Sequence, residues 1–171
     1  MITNISEFKN EAAIQNLKGN GTSGDPLAGA VLSKIESLAE KYEVKYLELF
    51  FCEEEDPEQV AADLLTYNDL EEAEKTDTAL NSLIESIKSP LAYYIAFYYH
   101  RDNAARNTGI GSVVLNSENG IRISELKRGT IIWNDMVDMT KKAFKSYYEL
   151  TDYSIYYPKN DIFKYINSLN I

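Results

Sequence analysis

Apolar residues recur every three or four positions over most of the chain, and this spacing predicts amphipathic α-helices. The clearest helix runs from about residue 26 to 50, because Asp25-Pro26 supplies a cap and a proline at the first helical position. Asp56-Pro57 repeats this signal, so a shorter helix follows it and continues to about Leu70. The apolar positions of the first helix are Leu27, Val31, Ile35, Leu38, Tyr42, Tyr46 and Leu49.

Two further helices are predicted in the second half of the chain. An apolar stripe runs from Thr78 to Tyr98, but Ser89-Pro90 interrupts it, which predicts either a kink or a new helix capped by Ser89. A long final helix is predicted over 124–150, and Trp133 in its apolar stripe is expected to anchor the core.

The remaining segments have weaker patterns. Residues 5–17 have near-helical spacing, with Ser6 as a candidate cap. Residues 109–124 contain short apolar runs around Asn119-Gly120, a turn signal that predicts a β-hairpin arm. Residues 151–171 are predicted to form an extended C-terminal tail. The sequence therefore predicts one mainly α domain over 1–171, a bundle of four to five helices with a short hairpin arm and a tail.

The stretch HRDNAARNTGIGSVV, residues 100–114, allows three interpretations. A phosphate cradle is disfavoured, because such motifs place a glycine turn before a helix, whereas a helix ends at these glycines. An enzymatic site would use Arg101, Asp102, Asn103 and Arg106, but helix-end capping explains the same residues. The third interpretation is an arm that leans on the domain or adds its edge to another protein, since a hairpin alone is barely stable.

The net charge of −10 is unevenly distributed along the chain. Residues 1–90 contain 7 Lys/Arg and 19 Asp/Glu, whereas residues 91–171 contain 10 and 8. Affinity for DNA comes largely from basic surfaces, so this balance argues against a protein that grips DNA but not against a surface past which DNA slides. The acidic residues between Glu53 and Glu74 indicate a solvated face. A calcium site is disfavoured there, because a calcium loop needs carboxylates spaced around a central glycine.

The chain has one cysteine, Cys52, and one histidine, His100, so a single chain can build neither a disulfide framework nor a zinc cluster. Cys52 is expected to be a small buried hydrophobe, and His100 a helix-end residue whose cationic form suits a helix C-terminus. No Ser/His/Asp or Cys/His set is evident, and we expect a protein without enzymatic activity and without a cofactor.

Ten of the thirteen tyrosines lie between residues 93 and 165, often as doublets such as Tyr93-Tyr94. One narrow helix face cannot bury both members of a doublet, so some of these rings are expected in loops or against other chains. The chain contains no apolar run of the length that a membrane span needs, and its start has no signal-peptide pattern. We expect a protein made in a cytoplasm, without membrane contact.

Two segments together resemble a known family: AYYIAFYYHRDNAARNTGIGSVVLNSENG and the Trp-bearing helix IIWNDMVDMTKKAFKSYYELTDY. They are similar to the head-to-tail connector, or neck ring, proteins of tailed bacteriophages, most closely those of crAss-like phages. The resemblance covers about residues 78–157, and the first half of the chain only in the order of its helices.

The resemblance implies a structural virion protein, assembled in the host cytoplasm, that forms a homo-oligomeric ring, commonly twelve-fold. Its implied partners are the portal protein above it and adjacent neck or tail ring proteins, and DNA only as passing cargo in the channel. The implied subunit contacts are an arm and a tail. The arm residues are Asn107, Gly109, Gly111 and Val113, and the tail residues are Tyr153, Tyr156 and Tyr157. The alternatives are a helical adaptor that binds another virion or host protein without forming a ring, and an enzyme whose motif is not evident.

Overall fold

The computed structural model of the chain describes residues 1–14, 17, 26–107, 125–148 and 163–167. Within these ranges the protein is mainly helical, which confirms the predicted class. The α-helices in the described ranges are α1 (Pro26–Phe50), α2 (Pro57–Asn68), α3 (Thr78–Asn107) and α4 (Glu125–Tyr147). The predicted hairpin over 109–124 lies outside the described residues, and so does all of the tail over 151–171 except residues 163–167.

α3 is the central element of the bundle. It packs along α4 and against α1, while α2 packs on α1. Every residue from Pro90 to Phe97 is buried, so this part of α3 is enclosed on all sides by other elements. The core therefore lies around the middle of α3.

Pro90 lies inside α3, which continues from Thr78 to Asn107 without a break. The predicted alternative of a new helix capped by Ser89 is therefore wrong. The hydroxyl of Ser89 donates instead to the carboxylate of Glu7, 2.7 Å away. This bond connects α3 to the N-terminal segment.

α2 begins where the sequence predicts, because the carboxylate of Asp56 accepts a hydrogen bond from the backbone N–H of Gln59 at 3.1 Å. The helix ends at Asn68, slightly before the predicted Leu70. α4 lies within the predicted range, and Trp133 is buried, with its ring centroid 4.9 Å from that of Phe97. Its expected role as a core anchor is confirmed.

The described residues 5–14 form no α-helix, so the helix predicted over 5–17 is wrong there. Two short 3₁₀ turns, Ile5–Glu7 and Asn10–Ala12, take its place. Asn4, not Ser6, caps the first turn, since its side chain accepts from the backbone N–H of Ser6 at 2.9 Å. Asn10 has a φ of 53°, a left-handed conformation that asparagine tolerates and that interrupts a helix.

A buried carboxylate on α1 holds the start of this N-terminal segment. Glu43 is 4% exposed and accepts hydrogen bonds from the backbone N–H groups of Ile2, at 3.2 Å, and Thr3, at 3.0 Å. The Thr3 hydroxyl donates to the same carboxylate at 2.8 Å. Three donors thus replace the water that Glu43 loses on burial.

The Tyr93-Tyr94 doublet in α3 differs from the prediction. Tyr93 and Tyr94 are 5% and 2% exposed, so both rings are buried. Tyr94 packs between α1 and α4, with ring centroids 5.5 Å from Tyr46 and 6.1 Å from Trp133. Both members fit because α3 is enclosed on more than one side.

Candidate functional site

The residues predicted to contact other subunits fall mostly outside the described part of the chain. Asn107 is the last residue of α3. Gly109, Gly111, Val113, Tyr153, Tyr156 and Tyr157 lie outside the described residues. The described residues offer three candidate binding features: a docked C-terminal segment, a strip of lysines and a group of acids.

The docked segment comprises residues 163–167 and lies on α4. Asn134 holds its backbone at two points, because the side-chain amide donates to the carbonyl of Ile166 and accepts from the N–H of Ile166, each at 2.9 Å. The Trp133 indole N–H donates to the carbonyl of Lys164 at 2.8 Å. These bonds recognise the main chain, so they place few demands on the side chains of the segment.

Two side chains of the segment add specificity. Phe163 is buried, with its ring centroid 5.7 Å from that of Tyr46 on α1. Tyr165 is mostly exposed, donates to the carboxylate of Asp138 and lies under the ammonium of Lys141, 3.8 Å from its ring centroid. The tail was expected to reach neighbouring subunits, but these five residues pack on their own chain.

The lysine strip comprises Lys34, Lys41 and Lys45 of α1 together with Arg101 of α3. Lys41 and Lys45 lie over the ring of Tyr42, at 5.0 and 5.8 Å from its centroid. Tyr42 stacks on Tyr98 with centroids 4.0 Å apart, and Arg101 lies 4.3 Å from the Tyr98 centroid. Lys34 covers Tyr99 at 4.6 Å. Tyrosine faces therefore hold four cations along the junction of α1 and α3.

The acids form the opposite kind of surface. No Lys or Arg occurs between Lys45 and Lys75. Exposed carboxylates occupy two parts of this interval, which we name the acidic face and the acidic turn. The acidic face consists of Glu53, Glu55, Glu58 and Asp63, and the acidic turn of Asp69, Glu71, Glu72 and Glu74.

His100 lies inside α3 and not at its end, since the helix continues to Asn107. Burial, with a smaller effect from the positive charge of Arg128, lowers the pKa of His100 from 6.5 to about 4. The side chain is therefore neutral at pH 7, and the expected cationic form is wrong. Cys52 is half-buried and not fully buried as expected.

Two tyrosines, the buried Tyr46 and the half-buried Tyr148, act as hydrogen-bonding groups that keep their protons. Burial raises the pKa of Tyr46 above its usual value, and the Tyr46 hydroxyl pairs with that of Thr140 at 2.9 Å. Burial and the carboxylate of Glu54 raise the pKa of Tyr148, which donates to Glu54 at 2.8 Å. Neither phenol is suited to act as a general base near neutral pH.

The described residues contain no group of three or more His, Cys, Asp or Glu side chains that could hold a metal ion. Over the same ranges no helix combines the length and the apolar character needed to cross a bilayer.

Fold and surfaces together define a mainly α-helical protein with separate basic and acidic surfaces. No protein-family model matches the chain, and comparisons with curated proteins and with solved structures found no match.

Sequence reasoning missed the lysine strip and the docked segment. The strip has a signal, because Lys34, Lys41 and Lys45 are spaced by seven and four residues and so share one side of a helix. The segment has a weaker one, the pair of apolar residues Phe163 and Ile166 in a polar stretch. The side chains of α4 that bind the segment, Trp133 and Asn134, have no local signal.

Proposed function

We propose that this chain is a structural virion protein that forms a ring in the neck of a tailed phage, below the portal. It joins head to tail and surrounds the channel through which DNA passes. The proposal combines the resemblance of residues 78–157 to neck ring proteins with the surface chemistry of the helical bundle.

The acidic face carries this proposal. Glu53, Glu55, Glu58 and Asp63 are exposed on and before α2, with no Lys or Arg among them in the sequence. Carboxylates repel the phosphates of DNA at short range and prevent the counterion release that drives non-specific binding. A ring that turns such a surface toward DNA lets the duplex pass without holding it.

The experiment is mass measurement on the purified chain of residues 1–171 by native mass spectrometry, with electron microscopy of the same sample. A closed oligomer of high order with an open centre supports the ring. A chain that stays monomeric in this sample and in the presence of a tailed-phage portal ring counts against it. Tight binding of duplex DNA at about 0.15 M salt also counts against a channel wall of this kind.

The second candidate is an adaptor that binds a peptide of another protein without forming a ring. The docked segment favours it, because Trp133 and Asn134 hold residues 164 and 166 by their main chain. A partner peptide with the same pattern fits this site once the segment is displaced. Binding of a labelled peptide of residues 163–167 to a chain truncated after Tyr148, and not to its Asn134→Ala variant, supports the adaptor.

A further inference from the structure

The lysine strip and the acidic turn lie on opposite sides of α1. Lys41 and Lys45 are each two residues from Glu43, and two residues correspond to about 200° around a helix. Glu43 binds Ile2 and Thr3, and the amino group of Met1 lies 3.4 Å from Asp69. The side of α1 that carries Glu43 therefore leads to the acidic turn, while the lysines face away from it.

Both surfaces present exposed charged groups to solvent, Lys41, Lys45 and Arg101 on the strip and Glu71 and Glu74 on the acidic turn. In the acidic turn, Asp69 contacts the Met1 amino group and Glu72 pairs with Lys75 at 2.9 Å, but Glu71 and Glu74 are exposed beside them. On the strip, Arg101 lies 3.8 Å from Asp102, and the half-buried Glu48 follows Lys45 by three residues. Glu36 and Glu40 are also exposed on α1, but they lie about 100° or more around the helix from Lys41.

Each surface also exposes one aliphatic side chain. Val44 lies beside Lys41 and Lys45 on α1 and is 38% exposed. Leu70 lies between Asp69 and Glu71 and is also 38% exposed. Exposed aliphatic groups within charged surfaces add apolar area that an interface can bury.

We propose that the lysine strip of one copy binds the acidic turn of a second copy, so that the chain self-associates head to tail. The charges are complementary, and surfaces on opposite sides of one subunit produce a heterologous contact that continues from copy to copy. The net charge of −10 disfavours DNA as the occupant of the strip, since a duplex is repelled by the rest of the molecule. This inference rests on the proposed function in one respect, that the head-to-tail contact closes into a ring.

The test uses charge reversal in the chain of residues 1–171, with self-association measured by sedimentation velocity over a range of protein concentrations. The wild type is expected to associate at about 0.05 M NaCl and to weaken at least tenfold at about 0.5 M, because salt screens the contact. The variants Lys41→Glu/Lys45→Glu and Glu71→Lys/Glu72→Lys are each expected to lose at least tenfold in affinity for themselves. A wild type that is monomeric at low salt and high concentration overturns the proposal.

The decisive measurement is whether restored charge complementarity restores association. An equimolar mixture of the two variants, and a chain that carries all four substitutions, are both expected to associate as the wild type does. Loss of association without restoration overturns the pairing of these two surfaces. Restored association in the mixture also shows that both variants fold. If one variant alone fails to fold, the chain with all four substitutions serves as the test.

The matched control is Lys142→Glu/Lys145→Glu, which makes the same change in charge at two exposed positions of α4. It is expected to associate like the wild type. If it lost as much affinity for itself as the charge-reversal variants do, the effect would come from net charge alone, and the specific contact would be overturned. Fluorescence anisotropy with a labelled DNA duplex examines whether the lysine strip binds nucleic acid instead of a second copy. Binding that Lys41→Glu/Lys45→Glu abolishes, without any self-association of the wild type, assigns the strip to nucleic acid and overturns the proposal.

These outcomes separate this inference from the proposed function. A closed ring that persists in both charge-reversal variants supports the ring and overturns the interface. Open chains or dimers that respond to charge reversal and restoration support the interface and count against the ring.

Discussion

α2 and the middle of α3 are both regular helices, yet one lies at the surface and the other is enclosed. In α2 only Ala61 and Leu64 are buried, and Glu58 and Asp63 of the acidic face are exposed on it. In α3 every residue from Pro90 to Phe97 is buried, including Pro90 and both tyrosines of the doublet. A periodic apolar stripe locates the buried side of a surface helix, but it understates the burial of a helix with neighbours all round.

The difference has a consequence for stability. Removing atoms from the enclosed helix leaves a cavity that its neighbours cannot fill, whereas the surface helix can relax into solvent.

Ile95→Ala, in the enclosed part of α3, is expected to lower the free energy of unfolding by about 3 kcal/mol, because Ile95 is fully buried. Leu65→Ala, at a half-buried position of α2, is expected to cost about 1 kcal/mol. Urea unfolding of both variants measures the two losses. Equal losses would remove the distinction between the two helices.

Glu43→Gln examines a buried polar group on α1, between the two regions. Its carboxylate accepts from two backbone N–H groups and one hydroxyl, and an amide cannot accept at both of its ends. The variant is expected to lose about 2 kcal/mol, while Glu40→Gln, exposed on the same helix, is expected to change stability by less than about 0.5 kcal/mol. Undiminished hydrogen-exchange protection at Ile2 and Thr3 in Glu43→Gln would contradict the assigned bonds.

His100 makes the enclosed helix sensitive to acid. Its pKa is lowered from 6.5 to about 4 by burial and by Arg128, so the unfolded chain binds the proton first as pH falls. The stability that its neutral form contributes is complete above about pH 6.5 and declines as the pH falls toward 4. Between pH 7 and pH 5 this loss is expected to be about 1 kcal/mol, after allowance for partial exposure of the ring.

His100→Gln removes the proton-binding group and is expected to abolish that part of the pH dependence. Unfolding by urea at both pH values, in wild type and variant, isolates it from the titration of the carboxylates. An identical pH dependence in the two proteins would contradict the lowered pKa.

Glu58→Lys, on the exposed side of α2, gives the smallest expected effect. The side chain is exposed, so the change in unfolding free energy should stay within about 0.5 kcal/mol despite the reversal of charge. Thermal melting measures it. A loss larger than about 1 kcal/mol would mean that α2 is more constrained than its exposure indicates.

Local signals predicted the fold well where one residue type determines the structure. Asp56-Pro57 starts α2, and the spacing of α1 and α4 agrees with their described ranges. The N-terminal helix was wrong because Asn10 takes a left-handed conformation that apolar spacing does not reveal. The new start at Ser89 was wrong because tertiary packing keeps α3 continuous through Pro90.

The candidate surfaces were harder to predict than the helices. The acidic residues were evident from the sequence, but their division between α2 and the following turn depends on where that helix ends. Contacts of the docked segment join residues far apart in sequence, such as Asn134 and Ile166, and no pattern near either residue indicates the other. The proposed arm and tail contacts remain predictions.

The buried contacts of the N-terminal segment also set an order of events during synthesis. Ile2 and Thr3 leave the ribosome long before Glu43, which accepts their hydrogen bonds. The carbonyls of Glu11 and Ala13 must wait longer, since the Arg128 guanidinium that binds them belongs to α4. Residues near the start of the sequence are thus among the last to gain their native partners, and a ribosome-bound chain that ends before α4 should leave them open to proteolysis.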